Sequence, residues 1–380
     1  MTKLIKNCRL ISPDVDIDGA AIEIEDGLIK TVYGQNDELP STDSVYDAAG
    51  RMVMPGFLDM HLHGADGCDV TDGTLEAVER ICKAKLKEGV TTICPTTLSL
   101  PHEDLADAMR AVAEYEKNTP YSKTAGVHIE GPFINPECVG AQNPLHVRAA
   151  EMKEIHKLNT ISKIAIVTYA IEMEGGTEFT HDLTELGIVP SCGHSNATHA
   201  QFLKAKKAGL KQLTHFCNQM TPLHHREIGL VGSGLLDDEI MLGVICDKIH
   251  LSAGMIELVF KRKPIETISL ITDSISASWL SDGNYTIGGL DVKVEAGAAR
   301  LASSGALAGS TLRYNDALKN VYDITGLPLD QLVKTTSLNQ ATTLGLDDVG
   351  KIEEGFSADI VVLEDDFTPA AVFVNGDRRI

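Results

Sequence analysis

Five apolar segments of this 380-residue chain each run into side chains able to hold a metal ion: His61-Leu62-His63, Glu130, His194, His215 and Asp273. Metal-dependent hydrolysis needs such a set, because ligands from separate strands must converge on one face of a fold and leave a coordination position open for water. His61 and His63 stand two residues apart, so on a strand their imidazoles share a face and can reach one ion together. Asp59 lies on that same face, and Gly56 and Gly64 flank the segment. One H-x-H pair among thirteen histidines also suits two hydrogen-bonded core residues, so the other segments must carry the argument.

Glu130 emerges from the apolar run Gly126-Val-His-Ile-Glu into Gly131-Pro132, and a buried carboxylate is costly without a compensating cation. A salt-bridged core glutamate is the plainer reading, and His128 on the same face suits either support of a ligand or packing. His194 and His215 end two further apolar runs. Jointly these residues supply four imidazoles and a carboxylate, enough for two ions bridged by Glu130, or for one ion beside a hydrogen-bonded histidine pair. Zinc or iron suits such ligands. Asp273, in Leu270-Ile-Thr-Asp-Ser274, is expected both to sit among the ligands and to act as general acid and base; Asp-Ser ahead of a helix would look similar as a cap.

The elements that position these residues read as short apolar strands alternating with helices, the pattern of a parallel α/β architecture. Eight strands are expected, over residues 56–63, 91–96, 126–130, 164–170, 188–194, 212–217, 242–247 and 268–274, with helices over 75–88, 104–117, 198–208 and 253–261. Eight such units predict a (β/α)8 barrel of the TIM type over residues 55–351, with its active site at the C-terminal ends of the strands. Residues 219–236 are expected as one long loop. At the N-terminus, alternating residues around Asp26-Gly27 predict a hairpin, and a second β-like stretch closes the chain. Together residues 1–54 and 352–380 are expected to build a small β-sandwich domain.

With 54 acidic against 33 basic residues, the net charge of −21 opposes nucleic acid and anionic membrane. Eight scattered cysteines without a C-x-x-C pair fit reduced thiols, and no apolar run is long enough to span a bilayer; a soluble cytoplasmic protein is expected.

Assembled, these motifs resemble the amidohydrolase superfamily, nearly end to end. Gly193-His-Ser-Asn-Ala-Thr198, Glu130-Gly-Pro-Phe133, His215-Phe-Cys-Asn-Gln-Met220 and Leu307-Ala-Gly-Ser310 are similar to its branch that deacetylates phosphorylated N-acetyl amino sugars. The resemblance implies hydrolysis of N-acetylglucosamine 6-phosphate to glucosamine 6-phosphate and acetate. It implies Glu130, His194 and His215 as ligands, Asp273 as the catalytic aspartate, and, because His61 and His63 are present, a two-ion site.

For the substrate the resemblance points to Asn218, His225, Arg226 and His250 around the phosphate, with His225 and Arg226 reaching the neighbouring subunit's site in a homodimer. It also brings the backbone of Leu307, Ala308 and Gly309 against the sugar. Arg226 offers a planar fork of donors suited to phosphate oxygens. Where members of the branch carry a substrate-contacting histidine, this chain has Gln142, which donates hydrogen bonds but does not titrate. The rival readings are an amidohydrolase acting on N-acetylgalactosamine 6-phosphate or on a cyclic amide, and a non-catalytic barrel homologue.

Overall fold

The computed structural model describes residues 2–380. At its centre lie eight short, buried strands: Phe57–Leu62, Val90–Pro95, Val127–Glu130, Ile164–Tyr169, Val189–Cys192, Gln212–Leu213, Met241–Val244 and Ile268–Leu270. From Val127–Glu130 to Ile268–Leu270, each pairs in parallel with the next in sequence, and Phe57–Leu62 pairs in parallel with Val90–Pro95. Two seams join these sets. Lys123–Thr124 pairs with Val90–Pro95 and Thr96 bridges His128, while Leu62 bridges Ser274 on the other side. The two sets are thus bridged on both sides, each time through residues lying outside these eight strands: Lys123–Thr124 and Thr96 on one, Ser274 on the other. Strands covered on both faces read as unbroken apolar runs, which is why Ile164-Ala-Ile-Val-Thr-Tyr169 is recognisable without alternation.

Helices connect the strands much as expected. The helix His199–Ala208 begins with a capping box between Thr198 and Gln201 and stops at Gly209, whose φ of 119° lies in the region that favours glycine. Four strands, however, end earlier than their apolar runs. The runs to His194, Cys217, Asp247 and Ser274 leave the ladder at Cys192, Leu213, Val244 and Leu270. Past these points the chain turns sharply: His194, His215 and Asp273 have φ of 49°, 33° and 51°. Left-handed backbone in non-glycine residues is costly and gathers where function requires a particular side-chain direction.

Both termini join one mixed sheet, in the order Asp377–Arg378, Pro369–Val374, Ile360–Leu363, Met52–Pro55, Lys3–Ser12, Val15–Glu25 and Leu28–Tyr33, with Val45–Asp47 also paired to Lys3–Ser12. The small β domain expected of the two termini is thus one hydrogen-bonded sheet of eight strands. Register shifts around Cys8 let it curl, so that Ile5, Leu10, Ile22, Ile360 and Phe373 close on one core of their own.

Two further features differ from expectation. The second half of the supposed loop 219–236 is a helix, Gly229–Leu236, whose glycines allow close packing against Phe216 and Leu242. Residues 283–301 form an antiparallel sheet of three strands, Gly283–Ile287, Leu290–Glu295 and Ala298–Leu301. Its apolar face packs on Leu98, Ile275 and Ala308.

Candidate metal centre and active site

The expected ligands converge where the ring strands end. His61, His63 and Asp273 form one group and Glu130, His194 and His215 another, each with its ligand atoms within 4.8 Å of one another and all six residues buried. In the first group Nε2 of His61 lies 3.3 Å from Nε2 of His63, and both lie 3.2 Å from Oδ1 of Asp273. In the second, Oε1 of Glu130 stands 3.3 Å from Nε2 of His194 and 3.0 Å from Nε2 of His215, which are themselves 3.0 Å apart. Ligands of a tetrahedral ion at about 2.0–2.1 Å are separated by about 3.3 Å, so each triangle has nearly the size of one face of such a coordination shell. Glu130 links the two, since its Oε2 is 3.2 Å from Nε2 of His63.

The ring nitrogens are disposed to suit. Nδ1 of His63 donates to the carbonyl of Thr96 at 3.2 Å and Nδ1 of His194 to that of Cys138 at 2.8 Å, which leaves each Nε2 lone pair facing the centre. Nδ1 of His61 and of His215 are buried without a hydrogen-bond partner, so those rings too have their polar reach concentrated at Nε2. His128 differs. Its Nδ1 donates to the carbonyl of Met60 at 2.9 Å and its Nε2 accepts from Thr168 at 2.7 Å, so it supports the cluster without a lone pair to offer. Burial, reinforced by the charge of neighbouring His61, pushes its pKa down to about 3 and keeps it neutral.

The electrostatics call for positive charge at the centre. Burial opposes ionisation of Glu130, but His61 and hydrogen bonds from His194, His215 and His63 outweigh it and hold the carboxyl well below its usual range. Burial is likewise overcome at Asp273 by His61 and His63, and it too is held low. His63 shows the converse: burial disfavours its charge, yet Asp273 and Glu130 raise its pKa well above the ordinary value. Two ionised carboxylates in a dry space need a cation. A divalent ion fits this donor set: it would meet that need in place of the protons now shared between the Nε2 atoms and the carboxylates, leaving the four Nε2 atoms as ligands.

A cavity of about 260 Å³ opens over the centre. The expected substrate residues Gln142, Asn218, His250, Leu307 and Gly309 line it, together with Leu98, Gln219, Ile287 and Ala306, which sequence reasoning missed. Ile287 escaped notice because its small sheet did. His250 is held by Asp247, whose Oδ2 accepts from its Nδ1 at 2.7 Å. Ala308 does not line the cavity; it is wholly buried in the core of the small sheet, because its neighbours alternate direction about it. Gly309 is small for a reason other than the sugar: a Cβ there would stand 2.9 Å from the carbonyl of Asp273 and 2.5 Å from Ile275. His225 and Arg226 are exposed, joined by a 2.9 Å hydrogen bond, and absent from the cavity lining.

Comparison with known proteins now bears on this site. The family model described as "Amidohydrolase family" matches residues 52–379. The chain belongs to the amidohydrolase family. Among relatives of this amidohydrolase, N-acetylglucosamine-6-phosphate deacetylase of Lysinibacillus sphaericus is 33% identical over 96% of this chain and 94% of its own length. N-acetylgalactosamine-6-phosphate deacetylase of Escherichia coli O157:H7 is 32% identical over 99% of both. The crystal structure of N-acetylglucosamine-6-phosphate deacetylase from Thermotoga maritima is 38% identical, with a TM-score of 0.90 over 99% of both chains. A mutant of the Mycobacterium smegmatis deacetylase, in complex with N-acetyl-D-glucosamine-6-phosphate, is 27% identical with a TM-score of 0.93, over 100% of this chain and 99% of its own.

Proposed function

We propose that this amidohydrolase hydrolyses the acetamide of N-acetylglucosamine 6-phosphate to glucosamine 6-phosphate and acetate. Its catalytic unit is read as a (β/α)8 barrel over residues 55–351, with residues 1–54 and 352–380 adding a small β domain. The observation that carries the reading is the pair of buried ligand triangles joined by the contact of Glu130 with His63, beneath a cavity lined by Asn218 and His250. They occur in a chain whose relatives over nearly its full length are amino-sugar-phosphate deacetylases.

One or two divalent ions, zinc or iron, held by His61, His63, Glu130, His194, His215 and Asp273 would supply Lewis acidity toward the carbonyl and lower the pKa of water. The protein's own side chains do the rest. The carboxylate of Asp273, through the oxygen not turned to His61 and His63, takes the proton as the water oxygen adds to the acetamide carbon, then delivers it to the nitrogen as the C–N bond breaks. The free hydrogen of the Gln142 amide is the donor read as stabilising charge that develops on the carbonyl oxygen, while His250, oriented by Asp247, lines the same cavity. The small sheet at Ile287 and the segment at Leu307 exclude bulk water from one side.

The phosphate end is incomplete within one chain. The cavity lining includes neither lysine nor arginine, whereas His225 and Arg226 stand exposed outside it. That supports a homodimer, read as cytoplasmic, in which this pair completes the partner's phosphate site. A neutral cyclic amide gives Arg226 nothing to bind, and a barrel that had lost its chemistry would be expected to lack ligands. The E. coli galactosamine relative keeps the epimeric sugar as the second reading.

Acetate release from N-acetylglucosamine 6-phosphate, N-acetylgalactosamine 6-phosphate and unphosphorylated N-acetylglucosamine, on protein of measured metal content, tests the proposal. Fastest turnover of the first is expected. Equal rates with and without phosphate would overturn the phosphate assignment, and preference for the second sugar would reassign the epimer.

A further inference from the structure

Between the helix Leu75–Leu86 and the ring strands lie three charged side chains, Asp59, Lys85 and Glu88, each 0% exposed and none lining the cavity. Nζ of Lys85 stands 2.7 Å from Oε2 of Glu88 and 3.4 Å from Oδ2 of Asp59. It also lies 3.3 Å from the hydroxyls of both Thr272 and Ser274. Burial of this many charges is not needed to attach a helix, since apolar side chains of similar volume do that at least as well.

The two hydroxyls show what the cluster grips. Oγ1 of Thr272 donates to Asp59 at 2.5 Å and Oγ of Ser274 donates to the carbonyl of Gly64 at 2.9 Å, so both have lone pairs left for the lysine. Thr272 and Ser274 are the residues on either side of Asp273, whose backbone is left-handed. Such a conformation persists only where surroundings over-determine it. At the far end of the cluster, Glu88 accepts from Nε1 of Trp279 at 2.8 Å and from the backbone N–H of Tyr314 at 2.9 Å, which fixes its carboxylate in turn.

We infer that Lys85, held between Asp59 and Glu88, is a positioning residue: through Thr272 and Ser274 it fixes the chain on both sides of Asp273 and so aims that carboxylate at His61 and His63. The inference rests on the role given to Asp273 under Proposed function. Lys85→Met would strand two buried carboxylates without a counter-charge and unfold much of the protein, so the test falls on Thr272. Thr272→Val keeps shape and charge and deletes one hydroxyl; Thr272→Ser restores it.

Each variant is saturated with cobalt(II), its visible absorption recorded without substrate, and its kcat and KM for N-acetylglucosamine 6-phosphate measured. In Thr272→Val the cobalt band is expected to change shape and kcat to fall roughly ten- to a hundredfold, with KM held within about twofold. Thr272→Ser is expected to recover both. A wild-type band and wild-type kcat in folded Thr272→Val would overturn the inference, as would Thr272→Ser as impaired as the valine variant. Should the wild type hydrolyse no acetamide, the functional reading falls while the cobalt band still decides the positioning role.

Discussion

Gln142 and Glu130 are joined side chain to side chain: Nε2 of the amide donates to Oε2 of the carboxylate over 2.7 Å, while its Oε1 accepts from the N–H of Ser99 at 2.6 Å. The amide is thereby fixed at both ends and Oε1 of Glu130 is left facing His194 and His215. Gln142→Ala is expected to weaken metal binding by roughly ten- to a hundredfold, the usual effect of removing a group that orients a ligand. Chelator competition would measure it, and unchanged affinity would reduce Gln142 to a substrate contact.

Asp273→Asn removes the group that carries the proton and keeps the Glu130 triangle. Turnover is expected to drop by about two to four orders of magnitude with metal still bound. Steady-state rates on protein of known metal content would show this; normal turnover ends the assignment.

His215→Ala deletes one corner of the second triangle and leaves the other two ligands short of a coordination face. Metal content should fall, and added zinc should raise the melting temperature less than it is expected to for the wild type, where a ligand bound only by the folded state adds about 2.7 kcal/mol at a hundred times its Kd. Calorimetric scans with and without zinc decide the matter.

Arg226→Ala is expected to raise KM for the phosphorylated sugar by about ten- to a hundredfold and to leave the slow hydrolysis of the unphosphorylated sugar unchanged. If the arginine acts across a dimer, mixing it with an Asp273→Asn protein regenerates sites that carry both intact residues. No recovery in the mixture would place Arg226 outside the partner's site.

Lys263 offers a pH-dependent check on the packing of the helix Ala253–Arg262. Burial pushes its pKa from 10.5 down to about 8, against the pull of Asp237 and Asp238. Between those values the unfolded chain holds the proton that the folded chain has released, so this residue's contribution to stability rises with pH from about 8 upward. The wild type should therefore gain on Lys263→Met in melting temperature over that interval, and a constant difference would show that the shift is absent.

Much of this was legible in the sequence because the strands are buried on both faces and end on residues of unusual type. His61, Glu130, His194, His215 and Asp273 could be read as ligands since few other roles suit such side chains at the mouths of apolar runs. The left-handed turns that aim His194, His215 and Asp273 left no mark of their own, as none of them is glycine. Tyr285 to Val294 did carry a signal, alternation around Gly288-Gly289, but one subordinate to the helix-strand rhythm around it. The bond from Gln142 to Glu130 depends on the tertiary approach of two loops, and nothing in residue spacing foretells it.

The strand Ile360–Leu363 pairs antiparallel with Met52–Pro55, which runs almost directly into the strand Phe57–Leu62 that bears His61 and ends next to His63. Met52–Pro55 thus sits between two strands from opposite parts of the chain, Lys3–Ser12 before it and Ile360–Leu363 far after it. Until that later strand docks, one edge of Met52–Pro55 has no partner, and an open β edge of this kind invites pairing with other chains.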